Sequence, residues 1–299
     1  MNLHTLELFC EIARRKSFSK GARAMGISQS AASQAVAQLE ADLNLILVDR
    51  AKRPFALTTA GQSYFEGVRE LLSGHDKLIA ELRSAKQEIS GTVRVAAIYS
   101  VGIRLMSRLI QQFMTQYPQS KVRIQYLRPN KVVDEILEDD ADLGLISYPT
   151  ASRDLAVIPL RNEKMVFVCA PTHKLAGKKE ILASELNEDN FIGFDSDLPI
   201  RKAIDRSLRA GKGHPNVSME FDNIETIKQA VLLGAGSSIL PEPSLRREVE
   251  LGLLKVIPLG GEMADLHRPI GIIHRPRRLT PAAQKLVDLL CQETDESKA

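Results

Sequence analysis

No tryptophan occurs in this chain, aromatic residues make up only 5% of it, and there are 3 cysteines in all. Cys10, Cys169 and Cys291 stand far apart, odd in number and in no paired spacing. That pattern excludes a disulfide framework and a thiolate zinc site, and it fits buried free thiols in a reducing compartment. Long apolar runs are missing as well: none approaches the ~18 residues of a membrane span. The first apolar stretch contains Glu7 and Glu11 and meets basic residues only after them, the reverse of a secretory signal. A cytoplasmic protein with no membrane partner is expected. Charge of one sign is not in excess either. The 40 Lys and Arg against 37 Asp and Glu leave a formal net charge of +3, too small to argue for a polyanionic partner.

Catalytic and metal-binding constellations are absent in the same way. There is no Gly-x-Ser-x-Gly elbow and no Cys–His pairing, and Gly234-Ala235-Gly236-Ser237 lacks the lysine and spacing of a phosphate loop. His267 and His274 are too far apart, in Pro-containing segments, to pair on a metal. No enzyme, no metal and no resident cofactor are expected.

One local absence is more informative: no Lys or Arg lies between Arg23 and Arg50. Within that gap Ala32, Val36, Leu39 and Leu43 repeat at helical spacing, giving a narrow apolar stripe. The opposite face carries Gln29, Ser30, Ser33, Gln34 and Ala37, all small or uncharged. Ser28 stands where an N-cap belongs. Upstream, residues 3–15 suit a first helix, and Ser19 reads as the cap of a short second helix closed by Gly26. Three short helices with a tight Gly-containing turn before the third make a helix-turn-helix pattern. After them, Ile46-Leu47-Val48 and Phe55-Ala56-Leu57 read as two short strands around a basic tip of Arg50, Lys52 and Arg53, a winged extension.

From Tyr64 the period changes. Tyr64, Val68, Leu71, His75, Leu78, Leu82, Ala85 and Ile89 alternate steps of 4 and 3, a heptad seam of the kind that pairs two chains. After Ser90-Gly91, strands alternate with helices, which implies α/β layers. Two mainly parallel sheets of about five strands each fit the remaining length, with a ligand cleft between them. In 299 residues of 44% apolar content there is room for this second domain and the first. The final Glu-Thr-Asp-Glu-Ser-Lys-Ala reads as a polar disordered tail, and His274-Arg275-Pro276-Arg277-Arg278 as a solvated charge cluster.

Together the residues from Ser17 to Gly61 resemble the winged helix-turn-helix of LysR-type transcriptional regulators. Ser28-Gln29, Ser33, Gln38-Leu39-Glu40, Leu43, Arg50, Arg53 and Leu57-Thr58-Thr59-Ala60-Gly61 carry the likeness in the family's order and spacing. Asp140 to Ile146 and Ile224 to Pro241 resemble that family's effector-binding domain. The resemblance implies a DNA-binding domain at 1–59, a dimerising linker helix at 60–89 and a two-lobed effector domain at 90–299. Lobe 1 is expected at about 90–162 and 266–299, and lobe 2 at about 163–265. It further implies double-stranded operator DNA as partner, a homodimer through the linker, a homotetramer, contact with RNA polymerase and a small-molecule effector such as a small organic anion. The family usually has Pro where Ser30 stands, Leu for Ala32 and Phe for Val48, and often Arg for Gln34 and Ala37.

The local absence of cations then has a physical reading, a division of labour. Gln29, Ser30, Ser33, Gln34 and Ala37, with Ser28 at the cap, face base edges. Lys20, Arg50, Lys52 and Arg53 hold phosphates. The plainer alternative is an ordinary surface helix with solvated loop charges beside it. In the second domain, Ser100, Val101 and Gly102 follow the first strand, Ser147 and Tyr148 the third, and Phe194, Asp195 and Ser196 belong to the other lobe. Polar residues matching Ser100, Ser147 and Ser196 contact the effector in related regulators, and Ile200, Asn223, Gly236 and Ser237 complete the candidate set. For Ser100 a plain N-cap is the competing role. Asp195 would disfavour an anion unless Arg201 or Lys202 offsets it. A solute-binding protein and an enzyme on the same two-lobed scaffold are the other function classes; the first lacks an export signal, the second a catalytic constellation.

Overall fold

The computed structural model describes residues 2–52, 54–84 and 89–296. The chain divides into two compact units, Met1–Gln87 and Glu88–Ala299.

In the first unit, α1 (Leu3–Arg15), α2 (Phe18–Ala24) and α3 (Gln29–Leu43) precede β1 (Val48–Asp49), β2 (Ala56–Leu57) and the long α4 (Thr59–Ser84). Asn2 caps α1 by accepting from the Thr5 N–H at 2.9 Å. Ser17, not Ser19, caps α2: its hydroxyl accepts from the Lys20 N–H at 3.3 Å, and Phe18 is already helical. Gly26 turns the chain at φ +69°, a conformation favouring glycine, and Ser28 caps α3 through the Ala31 N–H. The core gathers Leu8, Phe9, Ile12, Ala22, Ala32, Val36, Leu39 and Leu47, so the apolar stripe of α3 does face inward. The wing strands are shorter than the sequence suggests because the Leu47 and Val48 N–H groups bond to the Glu40 carboxylate at 2.8 and 3.0 Å, and Ile46 lies exposed. The heptad seam divides. Tyr64 packs edge-on to Phe9 and Val68 is buried, while Leu71, Leu78 and Leu82 are more than half exposed. Ala85 of the seam lies outside the described residues.

The second unit runs β3 (Gly91–Ala97), α5 (Tyr99–Gln116), β4 (Ser120–Tyr126), α6 (Pro129–Leu137), β5 (Leu143–Ser147) and β6 (Ala156–Cys169). Then come β7 (Asn190–Phe194), α7 (Pro199–Ala210), β8 (Asn216–Phe221), α8 (Ile224–Leu232), β9 (Ser238–Pro241), α9 (Arg246–Glu250), β10 (Lys255–Ile257), β11 (His267–His274) and α10 (Pro281–Glu296). Two separate cores define two lobes. Val93, Val95, Phe113, Ile136, Leu143, Ile272 and Leu286 belong to one. Phe167, Ile181, Phe191, Ile204, Ile227 and Ile239 belong to the other.

The sheets are mixed, a correction to the parallel expectation. β3 pairs in parallel with β4 and β5, and β7 with β8. The long β6 runs antiparallel to β11 over its first part and to β9 and β10 over its last, so one strand serves both lobes. Period-2 patterning sees a strand's faces, not its direction. Two further expectations change. α5 starts at Tyr99 rather than Gly102, placing Ser100 inside its first turn; Ile98 is the N-cap and makes no side-chain cap bond, so Ser100 is not a plain cap. α10 continues to Glu296, covering much of the supposed tail. The basic cluster at its entrance is ion-paired, Arg277 with Asp139 and Arg275 with Asp154.

Candidate nucleic-acid interface and interlobe cleft

Capping and core packing aim α3. With Ala32, Val36 and Leu39 inward, Ser28, Gln29, Ser30, Gln34 and Ala37 are exposed and Ser33 is half-buried, so the candidate reading face is assembled on one surface. The Ser19 hydroxyl donates to the Gln29 side-chain carbonyl at 3.0 Å, tethering that side chain to α2, and the Ser28 and Ser30 hydroxyls lie 2.9 Å apart. Gln34 and Ala37 line a shallow open surface with Ala31, Ala35 and Gln38.

Arg50 is not an unattached rim charge. Its guanidinium meets Glu40 at 3.2 Å and donates to the Ser33 hydroxyl at 3.4 Å, while lying 5.3 Å over the Phe18 ring. It ties the wing to the reading helix and remains 45% exposed at the side chain. Lys52 sits 3.8 Å from Asp49 with its side chain open to solvent, and Lys20 is exposed. Arg53 lies outside the described residues. These placements separate two outcomes. Lys52→Ala is expected to weaken binding to every DNA sequence alike and to lower the slope of log affinity against log salt by about 1. Arg50→Ala is expected to weaken all binding and also to blur sequence preference, because Ser33 loses its partner. Filter binding on two sequences across a salt series checks both.

Within the second unit, α5, α6, α7 and α8 all begin at the cleft between the lobes, beyond the carboxyl ends of β3, β4, β7 and β8. Ser100, Ser147, Phe194, Ile200 and Asn223 come together there. Asn223 also caps α8 through the Thr226 N–H at 2.9 Å. Val101 is fully buried, and Gly102 gives room to the Tyr126 ring, which a Cβ would meet at 2.2 Å. Gly236 abuts the Asn190 carbonyl, and Ser237 is buried, donating to Asp189 at 2.5 Å. These four therefore support the packing around the cleft rather than line it. Tyr148 lies beside the lobe crossing with its hydroxyl on the His267 carbonyl at 3.1 Å, and Ser196 is exposed between two aspartates.

Two arginines that sequence reasoning passed over line the cleft, Arg128 and Arg268, with Asp222 as the carboxylate beside them. Arg268 is 2% exposed; it donates to Glu163 at 2.9 and 2.5 Å and to the Ser100 hydroxyl at 3.0 Å. Burial pulls its pKa below the ordinary arginine value, while the Glu163 charge opposes the shift. Asp195 is met by Arg128 at 3.1 Å, not by Arg201, which is held by the Phe194 carbonyl, Glu220 and Asp205. The Arg128-Pro129 pair, an X-Pro step opening a helix after a strand, was the available signal for Arg128. Arg268 left none, since an arginine flanked by His and Pro reads as surface.

Among the described residues no group of His, Cys, Asp or Glu is arranged to hold a metal, and no helix is long and apolar enough to cross a membrane. Cys169 is fully buried, and burial together with the Asp189 charge pushes its thiol up to about 11 from 9.0. A folded-state pKa above the unfolded one means the native thiol holds its proton where the unfolded chain has lost it. This contribution to stability is complete below pH 9 and is lost between 9 and about 11, by an amount on the order of 1–3 kcal/mol. Urea midpoints measured from pH 8 to 11 should fall across that window, and Cys169→Ala should flatten the fall.

Comparison with known proteins agrees with this geometry. Residues 3–62 match the family model for the bacterial regulatory helix-turn-helix protein, lysR family, and residues 86–295 match the LysR substrate binding domain. The transcriptional activator CmpR of Synechocystis sp. is 30% identical over 291 residues, spanning 96% of this chain and 94% of that protein. Full-length OxyR from Pseudomonas aeruginosa has the same fold, with a TM-score of 0.71 at 23% identity over 98% of this chain and 94% of that one. CbnR in complex with its target DNA superposes with a TM-score of 0.67 at 19% identity, covering 98% of this chain and 100% of that one.

Proposed function

The chain belongs to the LysR family of DNA-binding transcriptional regulators, and from that premise we propose how its two units divide the work. The relatives it matches are regulators rather than enzymes. In our reading, residues 1–59 bind operator DNA, residues 60–89 join two subunits, and residues 90–299 bind a small effector between the lobes. The observation that carries the DNA assignment is the exposed, uncharged face of α3 beside the basic wing. Short donors and acceptors there suit base edges in the major groove, while Lys20, Arg50, Lys52, Arg53 and the helix N-terminus suit phosphates.

So few cations per reading head make one half-site weak, and a symmetric dimer doubles the contact. The exposed Leu71, Leu78 and Leu82 of α4 support pairing through that helix. A homotetramer built from two such dimers, contact with RNA polymerase and residence in the cytoplasm complete the proposal. For the effector, the convergent helix N-termini and two arginines favour a small organic anion. Sequencing the genomic fragments retained by the purified full-length protein tests the reading. Enrichment of a few fragments sharing a dyad-symmetric site is expected; retention no better than bulk DNA would refute it.

A further inference from the structure

We infer that Arg128 is a latch across the mouth of the interlobe cleft, and that a carboxylate entering the cleft opens it by replacing Asp195 and Asp197 on the same guanidinium. Arg128 belongs to lobe 1, as the N-cap of α6. Both aspartates belong to lobe 2, in the segment between β7 and α7. Among the described residues, one terminal nitrogen of Arg128, Nη2, makes the polar contacts of the side chain: 3.1 Å to Asp195, and 3.1 and 3.2 Å to the oxygens of Asp197. The remaining donors of the fork, Nε and Nη1, have no hydrogen-bond or ion-pair partner among the described residues. A guanidinium offers five N–H donors, so an incoming carboxylate meets a half-used fork beside Ser100 and Asn223.

The cavity behind the latch has a volume of about 30 Å³. That holds about two waters and is well short of the ~300 Å³ at which ordinary ligand sites begin. In this arrangement the cleft is too small to enclose an organic acid, and among the described residues the ion pairs of Arg128 with Asp195 and Asp197 join the lobes at this mouth. The pairs are partly exposed, with side-chain accessibilities of 38% for Arg128, 29% for Asp195 and 66% for Asp197. They are accordingly weak enough to exchange with a solute carboxylate. Selectivity follows from the same arrangement: a neutral or cationic solute cannot replace the aspartates, whereas an anion exchanges one charge pair for another. The device rests on the proposal that the cleft is the effector site, and it adds how entry is controlled.

Amide hydrogen exchange of the full-length protein over residues 98–101, 127–130 and 194–200 reads the latch directly. Asp195→Asn combined with Asp197→Asn should speed exchange there about three- to tenfold, as the loss of one or two half-exposed ion pairs allows. Asp154→Asn, which removes an aspartate from a distant pair with Arg275, should not. Acetate in place of chloride at equal ionic strength should speed the same segments in the unaltered protein and have no further effect on the double variant. Unchanged exchange in the double variant overturns the latch. Loosening by the double variant with no response to acetate overturns the carboxylate exchange, and leaves the cleft as an effector site to be judged by ligand-dependent DNA binding.

Discussion

Gly61→Ala is expected to abolish DNA binding while leaving the second unit folded. A Cβ at Gly61 would lie 1.9 Å from the Leu47 carbonyl oxygen and 2.8 Å from its carbon. Neither neighbour can yield. Leu47 is fully buried and its N–H is held by Glu40, while its carbonyl accepts from the Thr58 N–H at 3.0 Å. The Thr58 hydroxyl in turn accepts from the Gly61 N–H at 2.9 Å. The first turn of α4 must therefore pass directly over the wing's entry, and only a residue without a side chain permits it. Overpacking against rigid backbone costs about 3 kcal/mol or more, a large share of what a unit this small has. Hydrogen exchange should show residues 3–60 losing protection with residues 90–290 unchanged. Native-like protection in both would show that the backbone can move aside.

Arg268→Ala should destabilise the second unit by about 3 kcal/mol and remove any effector response, because it strands Glu163 in the interior. Arg161, 2.7 Å from the other Glu163 oxygen, limits the loss. The pair lies at matched positions on β11 and β6, the strands that cross between lobes, and Arg268 also anchors the Ser100 hydroxyl at the cleft. Urea unfolding checks the first effect. Arg268→Lys separates the second, since it keeps a charge near Glu163 but cannot reach Glu163 and Ser100 together. Recovered stability without recovered ligand-dependent DNA binding is the expected pattern.

The first unit was legible in the sequence because its signals are local. The stripe of Ala32, Val36 and Leu39, the cap at Ser28 and the turn at Gly26 each act within a few residues, and each has its place in the fold. The error over Ser19 shows the limit of such signals: Ser17 and Ser19 are both good caps, and what separates them is a long-range bond from Ser19 to Gln29. The seam of α4 was read as one surface, yet Tyr64 and Val68 serve their own domain. Spacing records that a helix face is apolar, not which neighbour covers it.

In the second unit the alternation of strands and helices was legible, but the first half of β6, the short β10, strand direction and the cleft's charged partners were not. Arg128 meets Asp195 and Asp197 across 67 and 69 positions, and Arg268 meets Glu163 across 105. No periodicity reports contacts of that range. Gly102, Gly236 and Ser237 were singled out for their chemistry, whereas their places are set by close packing against Tyr126, Asn190 and Asp189.

The division of labour on DNA is tested most directly by the consensus each variant selects from a random pool. Gln29→Ala and Gln34→Ala should each lose preference at particular positions, by about 1–3 kcal/mol per bidentate contact removed, while Lys52→Ala should select the wild-type consensus at lower affinity. Glutamine variants that select the wild-type consensus unchanged would contradict the account, since the uncharged face of α3 would then not be reading bases.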